Sequence, residues 1–106
     1  MGQFVIAAYK PRPGKDAELI ALVREHLPVL RDQGLATDFP PLVMRADNGT
    51  IVEIFEWKSL DAIDAAHKNE KVQALWARFG VACDYESLAN LDEAKHPFAH
   101  FTPVPL

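Results

Sequence analysis

One cysteine is all this chain has, so no disulfide can close within it. Cys83 follows Phe79 in an apolar stretch and reads as a buried structural thiol rather than a reactive one. Glycine is scarce too. Gly2, Gly14, Gly34, Gly49 and Gly80 stand singly, so no glycine-rich loop is there to cradle a phosphate. Neither a GxSxG motif nor a paired Cys–His motif suggests hydrolysis. No apolar run approaches the roughly 20 residues of a membrane span. The run Phe4 to Tyr9 is shorter than a signal-peptide core and follows no basic segment. Positive charge is sparse: 11 basic residues against 15 acidic ones give a formal net charge of -4. Arg12, Lys15, Arg24, Arg31, Arg45 and Lys58 are scattered rather than striped. Nucleic acid and anionic membrane are therefore not expected partners, and a reducing cytoplasm is the expected location. The histidines are His26, His67, His96 and His100, with no HxxxH on a helix. His96 and His100, beside a strand, would stand roughly 13 Å apart, too far to share a zinc. Neither a metal nor a nucleotide cofactor is expected.

The 106 residues suggest one domain, 1–106, and the 49% apolar content is that of a soluble globule. A domain this small buries only about two-thirds of its unfolded surface, so a partner would add useful stability. Phe4 to Tyr9 reads as a strand, stopped by Lys10-Pro11-Arg12-Pro13-Gly14. A helix is predicted from about Lys15 to Gln33, ending at Gly34. Leu19, Leu22, Val23, His26, Leu27 and Leu30 form its apolar stripe. Pro28 removes the hydrogen bond to the Arg24 carbonyl, so a kink or break is expected there. Leu42 to Ala46 and Thr50 to Trp57 form a hairpin about Asp47-Asn48-Gly49. Ser59 and Asn69 can cap two short helices, Leu60 to Ala66 and one presenting Val72, Leu75, Trp76 and Phe79. Asp84 to His96 reads as loop, and a last strand is expected from Pro97 or Phe98 to Thr102.

The order is β-α-β-β-α-β, with the second helix split. That is the α+β, ferredoxin-like arrangement of an antiparallel sheet with helices on one face. The strands do not alternate cleanly: Phe4, Ile6 and Ala8 point one way, Val5, Ala7 and Tyr9 the other. Both sheet faces thus ask for cover, while the helices supply only one. A second copy packed sheet to sheet, as a homodimer, is the economical answer. The alternative is that aromatics merely shield a wet face.

The segment Glu53-Ile54-Phe55-Glu56-Trp57-Lys58-Ser59, then Ala62-Ile63 and Ala66-His67-Lys68-Asn69, resembles the central motif of the antibiotic biosynthesis monooxygenase family. The opening strand, Lys10-Pro11 and Pro13-Gly14-Lys15 fit the start of the same family. The resemblance covers nearly the whole chain and departs most in the proline-rich tail, Leu88 to Leu106. It implies a dimeric α+β barrel. It also implies a cofactor-independent monooxygenase acting on an aromatic, polyketide-like substrate. Haem-degrading members exist as well, but no clear proximal histidine with aromatic partners stands at their positions here. In the quinone-forming members a tryptophan at Trp57 lines the cavity, with an asparagine four residues earlier. Here that residue is Glu53.

Candidate chemistry follows from these residues. Glu53 and Trp57 share a strand face, roughly 13 Å apart. Glu53 could act as a base toward a phenol or an activated carbon, or it could sit at a wet mouth or pair with an arginine. His67, expected on the apolar face with Leu60 and Ile63, could move a proton. It could equally be a core histidine partnered by Asp64. Trp57 and Trp76 would wall an aromatic ligand or simply fill the core. Arg78 or Arg45 would hold an anion or lie on the surface. Two other readings stay open. One is a non-catalytic homodimer that binds a small ligand; the other is an isomerase or decarboxylase using the base without oxygen.

Overall fold

Antiparallel pairing joins five strands in the computed structural model, which describes residues 2–106. β1 (Gln3–Pro11) leads through a turn at Gly14, φ 76°, into α1 (Asp16–Asp32). α1 buries Leu19, Leu22, Val23, His26, Leu27 and Leu30, the stripe its sequence spells out. It ends at Gly34, whose φ of 73° only glycine adopts freely. The expected break at Pro28 does not occur, because α1 runs through it. Pro28 lies on the exposed side while Leu27 and Leu30 stay buried. Packing on the far face therefore holds the helix together despite the lost hydrogen bond.

β2 (Leu42–Arg45) and β3 (Ile51–Trp57) form the hairpin, with Gly49 at φ 92° in its turn. Ser59 Oγ accepts from the Ala62 N–H at 3.1 Å and caps α2 (Leu60–Ala66). Asn69 Oδ1 accepts from the N–H groups of Lys71 and Val72 and caps α3 (Glu70–Ala82). The chain then turns straight into β4 (Cys83–Glu86), which pairs antiparallel with β1. The fourth strand therefore comes earlier than its sequence suggests. Cys83-Asp84-Tyr85-Glu86 is too short and too polar to read as a strand. It forms because the open edge of β1 offers it a ladder. Residues 97–101 are not a strand, and Thr102–Pro103 forms a short β5 against Met44 and Arg45 of β2. The strand order is β4-β1-β3-β2-β5. β1 and β3 are central, as in a ferredoxin-like α+β fold.

The register sorts the two faces. Val5 faces Phe55 and Ala7 faces Glu53 across β1 and β3, on the side covered by the helices. Ile51, Phe55, Trp57, Leu75 and Phe79 are buried there. On the other side Ile6 is paired with Ile54, and Ala8 with Val52. This outer face is divided. The tail beyond β4 lays Leu91, with Leu88 and Phe101, over Ala8, Ala46 and Val52. Leu91 is 0% exposed, and burying such a side chain contributes about 1.5–3 kcal/mol. The tail then rounds the β2 edge: the Val104 N–H donates to the Val43 carbonyl at 2.8 Å. It thus caps its own sheet. The rest of the outer face, Phe4, Ile6 and Leu42, stays about half exposed or more, with Phe39 packed edge-on against Phe4. No helix among the described residues is long and apolar enough to cross a membrane.

Candidate functional site

A cleft of about 340 Å³ opens between the helix-covered face of the sheet and the helices, near the lower end of small-molecule sites. Its floor comes from alternate residues of β1, Val5, Ala7 and Tyr9, and of β3, Phe55 and Trp57. Its walls are Trp76 and Phe79 from α3, His26 from α1 and Tyr85 from β4. His67, the residue after α2, stands at its mouth. The lining is overwhelmingly aromatic and aliphatic. Tyr9, His26, Trp57, Trp76, His67 and Tyr85 carry what little polarity it has.

Beside this floor, on the same face of β3 as Phe55 and Trp57 and turned toward α1, lies Glu53, 1% exposed. A carboxylate so placed must be met by donors, since a buried polar group left unpaired is costly. Tyr9 supplies its hydroxyl to Glu53 Oε1 at 2.7 Å. His26 supplies Nδ1 to the same oxygen at 2.8 Å. The tautomer follows from the far side of the ring. The Trp76 indole N–H, which can only donate, reaches His26 Nε2 at 3.2 Å. Nε2 is therefore bare, and the ring proton sits on Nδ1, pointing at Glu53. The four side chains form one chain of bonds, from Trp76 to His26 to Glu53, closed by Tyr9. Edge-on contacts of the His26 ring with Phe55 and Phe79, centroids 5.2 Å apart in each pair, fix its plane.

Burial raises the Tyr9 hydroxyl well above its ordinary value of 10.0, and the neighbouring Glu53 charge and hydrogen bond push it the same way. Burial, reinforced by Asp84 and opposed by Arg12, pushes the Cys83 thiol up to about 11. The thiol donates to the Phe79 carbonyl at 3.2 Å. Cys83 is thus a structural thiol, as its apolar surroundings in sequence suggest.

The residues singled out in the sequence separate on this geometry. Trp57 (6% exposed) and Trp76 line the cleft. Glu53 lies behind it and touches it only through Tyr9 and His26. His67 does not enter the core: it is exposed, follows the last turn of α2, and Leu60 beside it is 64% exposed. Its partner is not Asp64 but the Ile63 carbonyl, which Nδ1 reaches at 2.8 Å. A carbonyl only accepts, so Nδ1 carries a proton, and in the neutral tautomer that leaves Nε2 bare. The ring stands edge-on to Trp76 at 5.1 Å. Neither arginine comes to the cleft. Arg78 forks onto Glu25 at 2.9 and 3.1 Å on the surface. Arg45 is exposed on β2, paired with Ile51 and Thr102. No group of three or more His, Cys, Asp or Glu among the described residues is placed to hold a metal.

Tyr9 and His26 are the site residues that sequence reasoning missed. The signal was there in part. His26 is the one polar side chain in the α1 stripe, and Glu53 the one polar side chain on the inner face of β3. Two buried polar groups on elements that pack together ask to be partners.

A ferredoxin-like α+β domain with an aromatic cleft between sheet and helices is the class that fold and site define. The chain belongs to the antibiotic biosynthesis monooxygenase family, whose model matches residues 3–78. That span holds Tyr9, His26, Glu53, Trp57, His67 and Trp76, and ends before β4 and the tail. Neither a search of curated proteins nor one of solved structures found a match.

The raised Tyr9 hydroxyl has a stability consequence. Its folded value lies above its unfolded one, so this stability is complete below about pH 10 and is lost as the pH climbs toward the folded value. An ultraviolet titration of the native protein should ionise Tyr85 first, with Tyr9 following only at higher pH or on unfolding. Two tyrosines ionising together near pH 10 in the folded protein would contradict the buried bond.

Proposed function

We propose that this protein is a small-molecule monooxygenase, independent of bound cofactors, that oxidises a planar aromatic, polyketide-like substrate in the cleft. The observation that carries the reading is an open, aromatic-walled cleft set directly over a buried acid–base network, in a chain of this family. Trp57 and Trp76 would flank the substrate ring. Glu53 would supply the negative charge that favours removing a proton, acting through the side chains above it. His67 would exchange protons with solvent at the mouth. The delocalised anion left on the substrate would itself reduce oxygen. For an anthrone, the CH2 becomes C=O. One oxygen atom enters the product and the other leaves as water with both hydrogens.

We also propose that the exposed strip of Phe4, Ile6 and Leu42 packs on the same strip of a second copy. Apolar side chains in a row on a sheet face are what an isologous interface needs. The lone thiol suits a reducing cytoplasm.

A second reading has an observation of its own. Oε1 of Glu53 and Nδ1 of His67 already have protein partners, as they would in a non-catalytic homodimer that only binds a small ligand. Oxygen uptake separates the two. Pure protein given anthrone or a quinol should consume one oxygen per product, and Trp57→Ala should lower kcat/KM by about tenfold or more. Binding without uptake across a broad panel favours the second reading. In sedimentation the parent should run as a dimer and Ile6→Glu as a monomer; a monomeric parent would contradict the interface.

A further inference from the structure

A histidine held through Nδ1–H by a buried carboxylate, with a bare Nε2 on the far side, is arranged as an oriented general base. His26 has that arrangement. Its Nδ1 is 2.8 Å from Glu53 Oε1, and both rings bonded to this pair, Tyr9 and Trp76, line the cleft together with His26 itself. What occupies Nε2 is not a fixed backbone group but the indole N–H of Trp76, at the long distance of 3.2 Å. Trp76 is only partly buried, and its ring is flanked at the mouth by the exposed His67.

We infer that His26 Nε2 is the atom that takes the substrate's proton, and that the Trp76 indole N–H holds that proton's place until a substrate arrives. The inference takes from the proposed function only the class of substrate, a planar aromatic with an acidic C–H or O–H. In the step, the substrate's C–H or O–H bond breaks and its proton moves to Nε2 as the indole withdraws. The electron pair stays on the substrate as a delocalised enolate or phenolate. The imidazolium keeps its Nδ1–H on Glu53, whose carboxylate balances the new charge in a dry setting where that attraction is strong. Nothing is oxidised or reduced.

The other candidates are less well placed to touch the substrate. Glu53 is 1% exposed and does not line the cleft. The Tyr9 proton is already committed to Glu53 at 2.7 Å. His67 offers a bare Nε2, but from an exposed position where water competes for it. Glu53 and Tyr9 are therefore positioning residues: the carboxylate sets the His26 tautomer, and the phenol sets the carboxylate.

The test uses anthrone as probe in deuterated buffer without oxygen, following loss of its methylene protons by NMR. The parent should exchange them well above the buffer rate. His26→Gln should lose at least about a hundredfold. Trp76→Phe, which keeps the wall but frees Nε2, should exchange faster at saturating anthrone. Glu53→Gln should be slower and should move the acid limb of the rate profile to lower pH, which a merely structural role would not do. Arg78→Ala, outside the cleft, should match the parent. If His26→Gln does not fold, Trp76→Phe and the Glu53→Gln profile decide. The inference is overturned by a parent that does not exchange, by a folded His26→Gln that exchanges like the parent, by a slower Trp76→Phe, or by an unmoved Glu53→Gln profile. Exchange without oxygen uptake under air would leave the inference standing and sink the monooxygenase reading. Uptake indifferent to His26 would do the reverse.

Discussion

A carboxylate with 1% of its surface exposed cannot be left to itself, and the site is organised around meeting that requirement at Glu53. Removing such a group from water costs several kcal/mol unless donors replace the water. Two donors do so, from two different elements. Tyr9 comes from the neighbouring strand, because the register sets Ala7 opposite Glu53 and leaves Tyr9 one step along the same face. His26 comes from α1, where every other residue of the buried stripe is aliphatic. Satisfying Glu53 fixes the His26 tautomer, and that tautomer is what lets Trp76 dock. Cleft floor, cleft wall and helix packing are thus joined by one anion.

The departure from the family pattern at this position takes on a physical meaning. An asparagine would bring an amide with both donor and acceptor. Glutamate's longer carboxylate accepts only, and both groups bonded to it here are donors. Glu53 is therefore matched to a phenol and a protonated imidazole nitrogen. It meets both of them and lies outside the cleft lining.

Local signals carried most of the fold. The 3.6-residue stripe of α1, the Asn48-Gly49 turn and the caps at Ser59 and Asn69 all act within a few residues, so a sequence displays them directly. The fourth strand did not show itself, because Cys83 to Glu86 becomes a strand only beside the edge of β1. Pro28 misled for a related reason: its local cost is outweighed by the packing of Leu27 and Leu30 on the distant sheet. The tail's cover for Ala8 and Val52 is equally non-local. Of the cleft lining, Trp57 was legible through the family resemblance, and Trp76 only as a residue of the apolar face of α3 that could fill the core or form a wall. The bonds of Glu53 were not, since they join residues 44 and 27 positions apart in the chain, and no pattern in one sequence states such a pairing. His67 was misplaced because α2 is only about two turns long and its outer residues, Leu60 among them, stay in solvent.

The account turns on the direction of the proton between His26 and Glu53. Nitrogen-15 NMR of the imidazole rings in the ligand-free protein reads it directly. The structure requires His26 to be neutral with Nδ1 protonated and Nε2 bare, and requires Trp76→Phe to change the Nε2 signal. A His26 with its proton on Nε2, or an Nε2 signal indifferent to Trp76, would contradict the arrangement from which the function is argued.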